Sequence, residues 1–162
     1  PTATVRLEPR PAGLQLSIEV PADRPLVVNP AGTDNPWDNE PADVNADGAQ
    51  LYFATAEGTG GWRLPLRPGG VVEPGHVAGW GTLAPRDPQW RQTPRGYELS
   101  LMLPIPAAGR REIALDLLVN DLGPGRARRR GQLVLGGADG EWTYLRGDRH
   151  DPARLVPFAL PR

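Results

Sequence analysis

The stretch that decides the fold covers residues 113–137 and reads IALDLLVNDLGPGRARRRGQLVLGG. In its first seven residues apolar side chains occupy both alternating faces, with Asp116 as the polar exception. A strand that is apolar on both faces is typical of the centre of a sheet that is covered above and below. Residues 120–125 then favour a turn. The pattern predicts a central strand, a polar loop and a returning strand over residues 132–135.

The loop between these two strands carries polar side chains that a ligand could contact. Asn120 and Asp121 end the first strand, and arginines follow at 126 and 128–130. Because antiparallel strands joined by a short loop meet at one edge, we expect these side chains at one rim of a sheet. Two interpretations stay open, a binding edge or a solvated hairpin whose charges keep the edge soluble.

Shorter segments along the rest of the chain show the same strand pattern. Apolar and polar residues alternate over residues 14–20, 50–56 and 97–103, and no helical period extends beyond about two turns. The sequence therefore predicts one all-β domain over residues 1–162, an antiparallel β-sandwich of two sheets, immunoglobulin- or jelly-roll-like, with about ten strands. The predicted core consists of Leu16, Ile18, Leu51, Phe53, Leu99, Leu101, Leu115 and Leu117.

Composition narrows the classes of partner. The net charge of -1 argues against a nucleic-acid-binding protein, and without an 18-residue apolar run no membrane partner is expected. All 18 basic residues are arginine, which we attribute to a bacterial-type, GC-rich coding sequence. No cysteine is present, so disulfides and thiol chemistry are excluded. Since the chain begins at Pro1, we expect a processed protein or a domain of a larger one.

An acidic segment before the strand at residues 50–56 suggests a metal site. Asp43, Asn45 and Asp47, followed by Gly48, match the opening D-x-[DN]-x-[DN]-G of a calcium loop, in which alternate oxygens converge on a hard cation. Ala54 stands where the pattern has a bidentate glutamate. The alternative is an Asx-turn leading into the strand without metal. If a metal binds, oxygen ligands without cysteine indicate calcium.

Tryptophans and histidines complete the set of candidate functional residues. Trp62, Trp90 and Trp142 lie in predicted strands and are expected in the core, whereas the loop tryptophans Trp37 and Trp80 are expected to be exposed. The histidines, His76 and His150, are interpreted as solvated loop residues. No nucleophile motif, phosphate loop or zinc-protease motif is present, so the chain is not predicted to be an enzyme.

Three segments resemble, in order, the signature of a known family. Residues 117–126 resemble the VND…G.R motif of family 9 carbohydrate-binding modules and of the wider DOMON-like sandwiches. Residues 47–53 and 97–104 resemble two of their strands, GD.VEL and Y..E..IP. The resemblance implies a sandwich that binds sugar termini through stacked tryptophans and polar side chains, often with structural calcium. It also favours an extracellular or periplasmic location.

On this resemblance we expect a non-catalytic carbohydrate-binding domain. Its expected sugar site consists of Trp37 and Trp80 for stacking, with Asn120, Asp121 and Arg126 as polar anchors. The alternative is a structural or protein-interaction domain on the same sandwich, without a small ligand. Some DOMON-like relatives bind haem through methionine and histidine; no haem is expected here, because Met102 would need a distant histidine opposite it.

Overall fold

The computed structural model describes residues 2–24, 42–105, 112–123, 129, 131–136 and 155–160. Within these residues the chain is mostly strand, with single 3-10 turns at Ala42–Val44 and Pro68–Gly70. The strands are β1 (Thr4–Arg10), β2 (Gly13–Pro21), β3 (Gly48–Thr55), β4 (Gly58–Pro65), β5 (Gly75–His76), β6 (Arg86–Thr93), β7 (Gly96–Leu103), β8 (Glu112–Asp121), β9 (Gly131–Val134) and β10 (Val156–Ala159). Among these residues no helix is long and apolar enough to cross a bilayer.

The strands form two antiparallel sheets, which confirms the predicted all-β class. One sheet has the order β1-β2-β7-β6, and the other has the order β10-β8-β3-β4-β5 with β9 also paired to β8. Strand β8 pairs with β3 along one side and with β9 and β10 along the other. It is buried on both faces from Leu115 to Asn120. The prediction of a central strand followed by a returning strand is confirmed.

The core lies between the sheets and contains all eight residues predicted for it. Alternate residues of β2 and β7 face alternate residues of β3 and β8, because successive side chains of a strand point to opposite faces. Each fully buried leucine or phenylalanine stabilises the fold by about 1.5–3 kcal/mol. Trp62 and Trp90 pack partly buried against this core, and their indole N–H groups donate to the carbonyl oxygens of Leu83 and Arg67, at 2.8 and 2.7 Å.

A proline near the end of a strand, such as Pro65 of β4, favours a sheet edge, but β4 pairs with both β3 and β5. Pro65 lies beyond the two residues that pair with β5, so its missing N–H interrupts no ladder on that side. Trp142 and the strand expected around it lie outside the described residues.

The outer face of the six-stranded sheet is also buried, although one face of a sandwich sheet commonly meets solvent. Tyr52, Val77 and Leu118 form a second apolar cluster there, with Trp80 packed against it. Gln50 and Asp116 on the same face have no exposed surface. Polar groups buried in this way need hydrogen-bond partners within the protein. Gln50 finds one in Asn120, near the end of β8.

Close packing around Gly60 gives a test of the fold. A methyl group at this position would lie 2.2 Å from the Leu83 carbonyl oxygen and 2.6 Å from the Phe53 ring. We expect Gly60→Ala to lower the free energy of unfolding by about 1–3 kcal/mol, because relief of the clash must displace backbone or core. Gly131→Ala is the control, since nothing lies within 4 Å of its added methyl group. Urea denaturation measures both; equal stability of the two variants would contradict the packing.

Candidate ligand-binding cleft

A cavity of about 940 Å³ opens at one rim of the sandwich, where β2 and β8 end and β7 begins. We call it the rim cleft. Its wall combines apolar, amide and charged side chains, including Val20, Arg24, Tyr97, Asn120, Asp121 and Gln132. A volume of this size is within the range of about 300–1,000 Å³ that is usual for small-molecule sites.

Strand register brings two carboxylates to this rim. Gly48 of β3 is paired with Asn120 of β8. Asp47 immediately precedes Gly48, and Asp121 immediately follows Asn120, so antiparallel pairing sets the two acidic residues beside each other. Asp47 is 1% exposed. Two neighbouring carboxylates, one of them buried, need a cation to offset their repulsion and their loss of hydration.

Arg24, which lies three residues beyond the end of β2, supplies that cation. Its two terminal nitrogens donate to the two carboxylate oxygens of Asp47, both at 2.8 Å, and one of them also donates to Asp121. The backbone N–H of Leu122 donates to Asp47 at 3.2 Å. The hydrogen bonds that Arg24 donates to Asp47, and then the one that it donates to Asp121, raise the pKa of Arg24 against the opposing effect of burial. The guanidinium therefore stays charged, and its hydrogen bonds connect the segment after β2 with Asp47 before β3 and Asp121 at the end of β8.

A second network presents neutral polar groups to the cleft. The side-chain oxygen of Asn120 accepts hydrogen bonds from the amide nitrogens of Gln132, at 2.8 Å, and Gln50, at 3.4 Å. Gln50 in turn accepts from the Tyr52 hydroxyl at 2.8 Å. Because these bonds use the oxygen of Asn120 and the nitrogen of Gln132, the Asn120 nitrogen remains as a donor and the Gln132 oxygen as an acceptor.

Tyr97, the first inward-facing residue of β7, contributes to the floor of the cleft. It is 3% exposed, and its hydroxyl forms no hydrogen bond of normal geometry among the described residues. Burial, and then the charge of Asp47, raise the pKa of Tyr97, while Arg24 and the Gly48 backbone act in the opposite direction. The hydroxyl therefore stays neutral and can both donate and accept.

The three residues that matched a calcium loop have different partners. Arg63 donates from one nitrogen to both carboxylate oxygens of Asp43, at 2.8 and 2.9 Å, whereas Asp47 is bound by Arg24. The Asn45 side-chain oxygen accepts from the backbone N–H of Arg129 at 3.1 Å. Both carboxylates are thus paired with guanidinium groups. No cluster of three or more potential metal ligands occurs in the described part of the chain.

The structure brings together two of the residues expected to bind sugar, Asn120 and Asp121, which both line the rim cleft. Trp80 does not line it. Its ring lies 4.9 Å from that of Tyr52, and a methyl group on Gly61 would approach the indole to 2.5 Å. Trp80 was expected to be exposed and is half-buried, since the missing side chain of Gly61 lets the indole lie on the sheet. Trp37 and Arg126 lie outside the described residues.

Sequence reasoning missed three residues of the cleft, Arg24, Tyr97 and Gln132. Arg24 stands in a segment without periodicity, so nothing local indicates its partners. Tyr97 did carry a signal, because it is the only polar member of an inward-facing row that is otherwise leucine. A buried hydroxyl in such a row needs a hydrogen-bond partner. No family model matches this chain, and no curated protein is significantly similar to it.

The Arg24 network should contribute strongly to stability. We expect Arg24→Met to lower the free energy of unfolding by about 3–5 kcal/mol, because it leaves the buried Asp47 carboxylate without its cation. Arg6→Met is the matched control, since Arg6 pairs with Glu19 and both side chains are largely exposed, at 55% and 43%. Loss of that pair should change stability by no more than about 1 kcal/mol. Equal effects of the two substitutions in thermal or urea denaturation would contradict the network.

Calcium binding stays a prediction of the sequence pattern, and chelation tests it. If the arginines, and not a metal ion, neutralise Asp43 and Asp47, excess EDTA should leave the melting temperature unchanged. A bound ion would stabilise the folded state only, so its removal would lower the melting temperature. A fall in melting temperature that added calcium reverses, with calcium found by elemental analysis, would overturn the assignment to arginine.

Proposed function

We propose that this chain is a non-catalytic domain that binds carbohydrate in the rim cleft. The observation that carries the proposal is the cleft wall, where neutral amide groups stand beside apolar side chains. The Gln132 amide nitrogen donates to the Asn120 side-chain oxygen at 2.8 Å, which holds the two amide groups together and leaves the Asn120 nitrogen as a donor and the Gln132 oxygen as an acceptor. Val20, Val119 and Leu133 line the same cleft.

This combination suits the chemistry of a sugar. Neighbouring hydroxyl groups of a pyranose each donate and accept, so an adjacent amide donor and acceptor can bind two of them together. The C–H groups of the ring meanwhile need apolar surface. The similarity of residues 117–126 to the family 9 motif supports the same proposal, because Asn120 and Asp121 of that motif line the cleft. Stacking on Trp37 remains part of the proposal.

The charges of the cleft favour a neutral sugar. Among the described residues, three carboxylates line it, those of Asp23, Asp47 and Asp121, against two arginines. Arg24 is already bound to two of these carboxylates, and of the three network residues Asp121 is the most exposed, at 32%. A uronate would bring its own carboxylate to this acidic rim and would be repelled.

The arrangement of the carboxylates supports binding without catalysis. A glycosidase needs two carboxyl groups on either side of the scissile bond, one as acid and the other as base or nucleophile. Here Asp47 and Asp121 both contact the same arginine nitrogen, on one side of the cleft. Asp47 also accepts a hydrogen bond from the Leu122 N–H, so its carboxylate oxygens already have structural partners.

Titration calorimetry with a panel of neutral monosaccharides and disaccharides tests the proposal. One small site should bind in the micromolar to millimolar range, because little surface is buried and association entropy must be overcome. Gln132→Ala should weaken binding about 3- to 10-fold, the effect of one neutral hydrogen bond. Gln89→Ala, which removes an exposed amide from the other sheet, should leave affinity unchanged. D-Glucuronate should bind about tenfold more weakly than D-glucose.

The outcome that contradicts the proposal is absence of binding across the panel at millimolar sugar, or binding that Gln132→Ala leaves unchanged. The first result would favour the alternative, a structural or protein-interaction domain. The second would place the sugar elsewhere on the molecule.

A further inference from the structure

The floor of the rim cleft contains a polar group that the fold itself does not use. The inward-facing residues of β7 after Tyr97 are Leu99, Leu101 and Leu103, all buried. A phenylalanine at position 97 would fill the same volume. The hydroxyl lies near the Gly48 backbone but forms no hydrogen bond of normal geometry among the described residues, and a buried hydroxyl in that state destabilises a protein. Packing alone therefore gives no reason for tyrosine here.

The position of this hydroxyl suggests what satisfies it. Tyr97 lines the rim cleft together with Arg24, Asp47 and Asp121. Tyr97 therefore belongs both to the buried core cluster and to the cleft, and the charges of these three residues act on its pKa. A neutral phenol that can donate and accept complements a sugar hydroxyl, which has the same two capacities.

We propose that Tyr97 is a ligand-binding residue of the rim cleft, and that its hydroxyl forms a hydrogen bond with a hydroxyl group of the bound sugar; this rests on the proposed function. The Tyr97 oxygen is closed off from solvent. A neighbouring side chain must therefore move when the ligand binds.

Arg24 is suited to that movement because it has two carboxylate partners at different depths. Asp47 is 1% exposed and Asp121 is 32% exposed. We assign the movement to Arg24, whose guanidinium can shift toward the more exposed Asp121 while its ion pair with the buried Asp47 is kept.

The test is Tyr97→Phe, which removes one oxygen and keeps the ring. The probe is whichever of D-glucose, D-galactose, D-mannose and D-xylose binds the unaltered protein most tightly by calorimetry. We expect the dissociation constant to rise about 3- to 10-fold, the effect of one lost hydrogen bond. The melting temperature should stay equal or rise, because an unsatisfied buried group is lost. Tyr52→Phe is the control for stability: its hydroxyl donates to Gln50 at 2.8 Å, so its loss should lower the melting temperature.

Each other result has a distinct meaning. If the sugar binds equally well to Tyr97→Phe, the inference is overturned while the proposed function stands, whether the melting temperature rises or falls. A fall in melting temperature with unchanged affinity would assign the hydroxyl to a trapped water. If the unaltered protein binds none of the four sugars or their disaccharides, the proposed function fails and the role of Tyr97 fails with it.

Discussion

The pairing of β3 with β8 is the constraint on which the rest of this structure depends. The register is set by the core, because Leu51 is paired with Leu117, and Phe53 with Leu115, on the inner face. A shift by one residue would turn these side chains outward. The same register pairs Gly48 with Asn120 and so sets Asp47 beside Asp121. The two carboxylates at the rim are thus a consequence of how the apolar core packs.

Burial of both faces of β8 then determines the character of the rim. Polar residues on the outer face, Gln50, Asp116 and Asn120, are almost fully buried and need partners inside the protein. Asp116 accepts two backbone N–H groups, those of Leu117 and Gly136. Gln50 donates a hydrogen bond to Asn120, and the network continues through bonds from Tyr52 to Gln50 and from Gln132 to Asn120. A network held in this way fixes its cleft-facing amide groups before any ligand arrives, which reduces the entropy lost on binding.

Local patterns in the sequence predicted the fold and part of the site, and distant contacts explain what they missed. Alternation with period two identified the core, because it depends only on which face each residue occupies. Asn120 and Asp121 were expected at a rim because they end a strand. Arg24 meets Asp121 across 97 residues of sequence, and no local pattern encodes such a contact. The half-buried position of Trp80 could not be read from its own segment, because the space for its indole comes from the missing side chain of Gly61 in β4.

The central claim is that a sugar binds at the rim where β2, β7 and β8 meet, and not on the face that carries Trp80. Two-dimensional 1H–15N NMR during a sugar titration tests this most directly, since it reports on every backbone amide. The account predicts that the largest shifts occur at Arg24, Asp47, Tyr97, Asn120 and Gln132, with little change at residues 77–81. Shifts confined to residues 77–81 and Tyr52, or none at saturating sugar, would contradict it.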